Sequence, residues 1–429
     1  MRIRIKINEL LFLVTCYYQV FSFYWGGLFY RLSDNNKFVY LLIDFLLLFV
    51  FISSKQLKIT RNGVIGFSIP SISFGLHTIL SNNVSFKELI VMYLIATKIT
   101  IFLTILNKLG FGAVLKVIVN IGILNIFVGL LELLSLGRIN PFVSFYTLAQ
   151  KIEALNKAGT TLSVYRGGFE HSLITSVMLT CTLVFYFKLK NNALKVFCML
   201  MQLYLIFGTE KRTGMLLSIV LIVLYFFLKA IFVDKNLRRV RTIFIFSFLF
   251  LVLAVSSQFI FVSDQTLYQV FISKFSALQS TDNFSLFHRT TSFTKSLDII
   301  FSQNIFRILI GNGFNFLPIY MASNGLSITT LNFLVIDNSY VSFLADFGVI
   351  SLIIVINYVV FSIVYLLGLL SRQIHIEKKI EIILVLIAML GIFSSALLFD
   401  ILNWYQGILI VSLIVAFCEF LKRKENIYD

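Results

Sequence analysis

YVSFLADFGVISLIIVINYVVFSIVYLLGLL, residues 340–370, decides the fold. A helix crosses the hydrocarbon core of a bilayer in about 20 apolar residues. This run is long enough to cross and too long for one straight perpendicular pass, so it is expected to be tilted or broken. It is followed by the basic stretch SRQIHIEKK (371–379) and then by a second apolar run, 380–398.

The same alternation of apolar run and short polar segment extends over the whole chain. Working back from the long run, crossings are expected at 10–28, 38–52, 64–80, 89–106, 114–136, 173–187, 193–207, 215–232 and 242–262. Beyond 380–398, a last crossing ends near Phe420, after a tight turn holding Asp400 and Trp404. Pro70 is expected to kink the third crossing, because proline removes a helical N–H. The fold expected is therefore an all-α polytopic integral membrane protein. It forms a single membrane domain over residues 1–429, with about 12 transmembrane helices and a large exterior loop between spans 9 and 10.

Composition agrees. Of the 429 residues, 59% are hydrophobic and only 13% are charged, with a mean hydropathy of +0.93. A soluble domain carries about 25% charged residues and could not hide this much apolar surface. The net charge of +16 raises nucleic acid as a partner. The basic residues, however, sit in short clusters between apolar runs, which is the pattern of cytoplasmic loops, and no nucleic-acid partner is expected. Cys16, Cys181, Cys198 and Cys418 all lie inside apolar runs and are expected to be packed thiols. MRIRIK precedes the first run without a small-residue cleavage motif, so the first helix is expected to stay as an anchor.

The basic clusters set the orientation. The N-terminus, the loops at 55–61, 188–195, 234–241 and 372–379, and the C-terminal LKRK fall on one side, expected to be cytoplasmic. Two non-spanning regions, 137–171 and 263–338, then lie outside. The first carries one helical segment, with Ala149, Ile152 and Leu155 in register. In the second, Leu267, Val270, Phe271, Phe275 and Leu278 mark one amphipathic helix, and Phe293, Leu297 and Ile300 a second. Both are expected to lie against the membrane or the bundle. The polar STDNFSLFHRT (280–290) between them reads as exposed, and the apolar FNFLPIY (314–320) argues that the region is ordered.

Three outward segments carry charge that anchoring does not explain: Tyr165 to His171 (YRGGFEH), Glu210-Lys211-Arg212 and His288-Arg289. Arg212 lies outside against the charge rule. Arginine clusters suit phosphate or pyrophosphate, because the guanidinium fork pairs with phosphate oxygens. A lone exterior arginine, taken singly, reads as a headgroup anchor. With four histidines and no DxD or HExxH motif, no metal site and no cofactor is expected.

In layout the chain resembles the O-antigen polymerase and O-antigen ligase family of bacterial surface-polysaccharide assembly. The residues that carry the resemblance are Arg166, Gly168, Phe169 and Glu170; then Thr209, Arg212, Thr213 and Gly214; then Arg289 with Gly311-Asn312-Gly313; and Gly348. Where the family has a histidine-asparagine pair opening the span after the large loop, this chain has Asp337-Asn338-Ser339-Tyr340.

The resemblance implies glycosyl transfer at the outer face of the bacterial cytoplasmic membrane, with both termini cytoplasmic. The donor and the acceptor are glycans on undecaprenyl pyrophosphate, and no soluble cofactor is involved. Arg212 and Arg289 would grip the pyrophosphate, with Arg166 as a third contact and Lys211, Asn338 and Tyr340 completing the substrate-binding set. Glu170, His171, His288 and Asp337 are the candidate bases for the acceptor hydroxyl, with Asp337 expected to matter less than the arginines. A chain-length regulator and a flippase are further candidate partners. A ligase-type transferase shares the layout and chemistry. A polysaccharide flippase or other transporter is the competing class, but the extended exterior loop and the small number of mid-span charges (Asp44, Lys98, Lys116, Glu132) count against it.

Overall fold

The computed structural model describes residues 7–30, 36–53, 86–134, 172–209, 212–235, 261–262, 265–266, 284–313, 315–325, 338–397, 400–401 and 405–425. In chain order they form α1 (Ile7–Tyr30), α2 (Asn36–Ser53), α3 (Phe86–Leu109), α4 (Phe111–Leu134), α5 (Ser172–Leu183, continued by a 3₁₀ segment Val184–Lys188), α6 (Asn192–Gly208) and α7 (Arg212–Phe232). After these come α8 (Phe284–Phe301), α9 (Ile305–Ile310), α10 (Phe316–Ser323), α11 (Ser339–Arg372), α12 (Ile376–Ser395) and α13 (Tyr405–Glu425).

Ten of the expected crossings coincide with these helices. Those at 64–80 and 242–260 fall outside the described residues, as do Pro70, Trp404 and the helical segments expected at 149–155 and 267–278. One boundary is corrected. Phe261–Val262, expected to end the ninth crossing, instead pairs antiparallel with Gln265–Thr266 in a minimal ladder. Among the described residues, four helices, within α4, α7, α11 and α13, are long and apolar enough to cross a membrane. This is the architecture of an α-helical membrane protein.

The helices differ in how much they are surrounded. The apolar window of α13 is 83% buried and that of α11 only 11%, so α13 is a central post and α11 a peripheral one. In α12 every residue from Ile382 to Met389 is buried, as expected of a helix enclosed on all sides. It packs against α7, α13, α11 and α5, while α3 is embraced by α13, α2 and α1. The apolar flank of α11 that faces outward (Ile353, Ile354, Val360, Phe361, Val364) has no protein cover among the described residues, and lipid is the medium that makes it stable. All four cysteines are buried and free.

Local chemistry fixes several ends. Asn191 caps α6 by accepting from Leu194 N (3.2 Å), and Asn304 caps α9 by accepting from Arg307 N (2.9 Å). At the basic side, Lys379 Nζ donates to Phe232 O at the C-terminus of α7 (2.8 Å), where a cation offsets the helix dipole. Lys188 Nζ pairs with Glu381 Oε1 (3.1 Å) and ties the end of the 3₁₀ segment to α12.

The long run of 340–370 is broken rather than merely tilted. Within α11, Gly348 has φ 77° and ψ 175°, which divides the helix in two. A side chain there would strike Leu309 O and the Gly311 backbone, so the position needs both glycine's left-handed freedom and its missing Cβ.

Candidate functional site

The N-terminal ends of α5 and α7 are held together by a backbone-level contact. A Cβ on Gly214 would overlap Ser176 Oγ and lie 3.3 Å from Thr180 Oγ1, and Thr180 Oγ1 donates to Gly214 O (3.2 Å). Gly214 is two residues into α7 and Ser176 four residues into α5, so the two starts lie at nearly the same level, within about one helical turn. Arg212 opens α7, and Ser172 opens α5 directly after the Arg166–His171 stretch. The packing therefore sets the backbone of Arg212 beside Ser172, the residue that follows that stretch in the sequence. Two parallel helix N-termini meet there, which favours negative charge. Arg166, Glu170, His171 and Lys211 themselves lie outside the described residues. Thr209 closes α6, its hydroxyl donating to Ile206 O (2.6 Å).

His288 and Arg289 are in the second turn of α8. The segment 280–290, read as polar, is helical from Phe284 onward, so the helix expected around Phe293, Leu297 and Ile300 begins earlier than its apolar residues mark. The cause is the buried face of α8. Ser292, Ser296 and Ile300 recur every four residues on it and are all buried, and α8 packs on α11. The hydroxyls of Ser292 and Ser296 have no hydrogen-bond partner among the described residues. His288 sits four residues before Ser292, at the same register. These serines escaped the sequence reading because small polar side chains do not register in an apolar period.

Asp337 lies outside the described residues. Asn338 Oδ1 caps α11, accepting from Tyr340 N (3.0 Å) and Val341 N (3.1 Å), and its Nδ2 donates to Leu397 O (3.0 Å). The Tyr340 hydroxyl donates to Phe393 O (3.0 Å). Both residues thereby join α11 to the end of α12. Ser339 Oγ accepts from Ile401 N (2.7 Å) and reaches Asp400 Oδ1 (3.4 Å), extending the joint to the turn before α13.

Gly311-Asn312-Gly313 docks on the break in α11. Asn312 N donates to Ala345 O and Gly313 N to Asp346 O, each at 3.0 Å. The carboxylate of Asp346 then starts α10, Oδ2 accepting from Asn315 N (2.9 Å) and Oδ1 from Phe316 N (3.0 Å). Leu317 and Met321 of α10 close a small core with Ile300, Val341 and Ala345. Within the FNFLPIY segment, α10 begins at Phe316 and Pro318 lies in its first turn, where its missing N–H costs nothing.

A second polar cluster is buried inside the bundle. Lys98 Nζ on α3 donates to Asp44 Oδ1 on α2 (2.8 Å) and to Gln19 Oε1 on α1 (2.7 Å), while Gln19 Nε2 donates to the same carboxylate oxygen (3.1 Å). Both charged side chains are fully buried. The ammonium lies 5.4 Å from the ring centroid of Tyr405 on α13, which stacks on Tyr40 at 4.0 Å. Asp44 and Lys98 are noticeable in the sequence as mid-span charges, but their partnership is not. Intramembrane ion pairs of this kind are costly and mark functional or organising positions.

No protein-family model and no curated protein matches the chain. The arrangement's chemistry must then be judged from its own groups. Among the described residues, no set of three or more His, Cys, Asp or Glu could hold a metal ion. The paired starts of α5 and α7 offer helix N-termini and an arginine position, which suit an anion. The buried cluster offers a neutralised charge pair.

Proposed function

We propose that the chain is a polysaccharide polymerase of the bacterial cytoplasmic membrane. It joins undecaprenyl-pyrophosphate-linked repeat units into O-antigen or into capsular or exopolysaccharide on the outer face. In this reading a hydroxyl of the acceptor sugar attacks the anomeric carbon of the donor. The bond from that carbon to the pyrophosphate oxygen breaks, and the hydroxyl proton passes to a base among Glu170, His171, His288 and Asp337. The leaving pyrophosphate gains charge, which Arg212 and Arg289, with Arg166, stabilise.

The observation that supports this reading is the Gly214–Ser176 contact, which brings the start of α7 at Arg212 against the start of α5, next to the Arg166–His171 stretch. The proposed topology has twelve crossings with both termini cytoplasmic. Reporter fusions are expected to score Asn283 outside and Lys235 inside, and the reverse for either would remove the site from the proposed face.

The functional test is glycan chain length in a deletion strain carrying Arg212→Lys or Arg289→Lys, with membrane protein level checked by blot. Lysine keeps the charge but loses the rigid donor fork. Each variant is expected to slow polymerisation by about a hundredfold. Normal ladders from both sink the pyrophosphate grip. In the deletion strain itself, single repeat units without a ladder mean polymerase. A ladder retained on the lipid carrier means a ligase-type transferase. The buried Asp44–Lys98 pair favours a second reading, a flippase or other transporter, since such proteins carry charges deep in the bundle. Accumulation of repeat units on the inner leaflet of the deletion strain would select it.

A further inference from the structure

We propose that α9 is an interfacial helix seated in the membrane leaflet at the Asn338 end of α11, with Ile305, Phe306 and Leu309 inserted among the lipid chains. The inference does not depend on the reaction proposed above. It starts from a length mismatch. The 34 residues of α11 would span about 50 Å as a straight helix, and the 20 residues of α12 about 30 Å. Yet the two helices are tied at both ends. Ser339 N donates to Ala396 O (2.9 Å) at one, and only residues 373–375 separate them at the other. The excess is taken up by the change of direction at Gly348.

From Val349 to Arg372 the helix has 24 residues left, about 36 Å, which is enough to cross the hydrocarbon core. Gly348 therefore lies at the membrane boundary, and α9 is fixed to that level. Its last carbonyls and Gly311 press against the backbone of Asp346, Phe347 and Gly348, and Gly313 N is bonded to Asp346 O (3.0 Å).

At this height α9 presents an apolar face to the outside. Ile305 is 63% exposed, Phe306 67% and Leu309 38%, and Phe301 at the end of α8 is 59% exposed. The flank of α11 just past the break is exposed as well, at Ile350, Ile353 and Ile354. That flank belongs to a helix long and apolar enough to cross the membrane, so the same lipid that covers it covers α9. Arg307 is the one charge on α9, only partly exposed, and can reach up to a headgroup phosphate while its stem stays in the apolar layer. The sequence shows α9 as a six-residue apolar patch, IFRILI, too short to suggest a crossing.

The test is site-directed spin labelling of the full chain in liposomes. The four native cysteines are buried, so a nitroxide goes to the introduced site. Ile305→Cys and Phe306→Cys are labelled separately, with Glu377→Cys, exposed at the start of α12, as the aqueous reference. The expected result is high collision with oxygen and at least fivefold lower collision with a water-soluble nickel chelate at 305 and 306 than at 377. Nickel access at 305 and 306 equal to that at 377 would put the face in water and overturn the proposal. Exclusion of both reagents would overturn it in favour of a protein cover, a second copy or another chain. If one labelled variant fails to assemble, the other carries the measurement, because both side chains are on the proposed inserted face.

Discussion

Replacing Lys98 with methionine should destabilise the bundle more than any surface change, and the reason is what it leaves behind. Lys98 Nζ is bonded to Asp44 Oδ1 at 2.8 Å and Gln19 Oε1 at 2.7 Å, with both charged side chains fully buried. Methionine fills a similar volume but supplies no charge. The Asp44 carboxylate would keep the Gln19 amide at 3.1 Å on Oδ1, while its Oδ2 has no hydrogen-bond partner among the described residues. Removing one member of a buried pair costs about 3–5 kcal/mol. At about 2 °C per kcal/mol for a large domain, detergent-purified Lys98→Met should melt on the order of 6–10 °C below the parent chain. The double variant Asp44→Asn/Lys98→Met removes the stranded charge and should recover most of the loss, because a well-packed neutral replacement of a buried pair is often close to neutral. Fluorescence-detected size-exclusion after a heat step reads all four corners of the cycle. A single variant that melts with the parent refutes the reasoning, and so does a double variant as unstable as the single.

Three further outcomes follow from the close contacts at the helix ends and at the break in α11. Gly348→Ala forces a side chain into the left-handed region at about 1–2 kcal/mol and into Leu309 O besides, so trypsin should cut faster after Arg307; Gly368→Ala, with open space around it, should behave as the parent. Asp346→Ala removes the acceptor for Asn315 N and Phe316 N, a loss of about 1–2 kcal/mol that should appear as faster hydrogen exchange at those two amides. Gly214→Ala should lower thermal stability by about 1–3 kcal/mol, and Ser176→Ala in the same chain should restore part of it by vacating the contested space.

Much of the fold is legible because its strongest signal, apolar length, is a one-dimensional property. The run at 340–370 announces its own problem: too many apolar residues for one pass, hence a tilt or a break. Which of the two occurs is not written within the run. Gly348 becomes a break because Gly311, thirty-seven positions earlier, needs to approach its backbone. The helix α8 is legible in its second half, where Phe293, Leu297 and Ile300 mark an amphipathic stretch. Its buried face is built from Ser292 and Ser296 as well as Ile300, and an apolar period does not register those hydroxyls. The Asp44–Lys98 pair is hidden by distance along the chain, since two mid-span charges on separate helices become one neutral unit only after α2 and α3 pack.

The candidate site divides along the same physical line. Several of the residues that resemble the polymerase and ligase family turn out to have packing duties that need no substrate. Gly214 lets α7 lie against Ser176, Gly311 and Gly348 let two backbones touch, and Asn338 caps α11 and reaches Leu397 O (3.0 Å). A glycine selected for close approach and an asparagine selected as a cap give a layout, not a reaction. Two chains could share them and catalyse different chemistry. The arginines are different in kind. No helix start needs a guanidinium, and a cation at a helix N-terminus is opposed by the dipole, so Arg212 opening α7 is unfavourable for the helix it begins. The proposed pyrophosphate grip would offset that cost, which makes Arg212 a sharper probe of the proposal than any of the motif glycines.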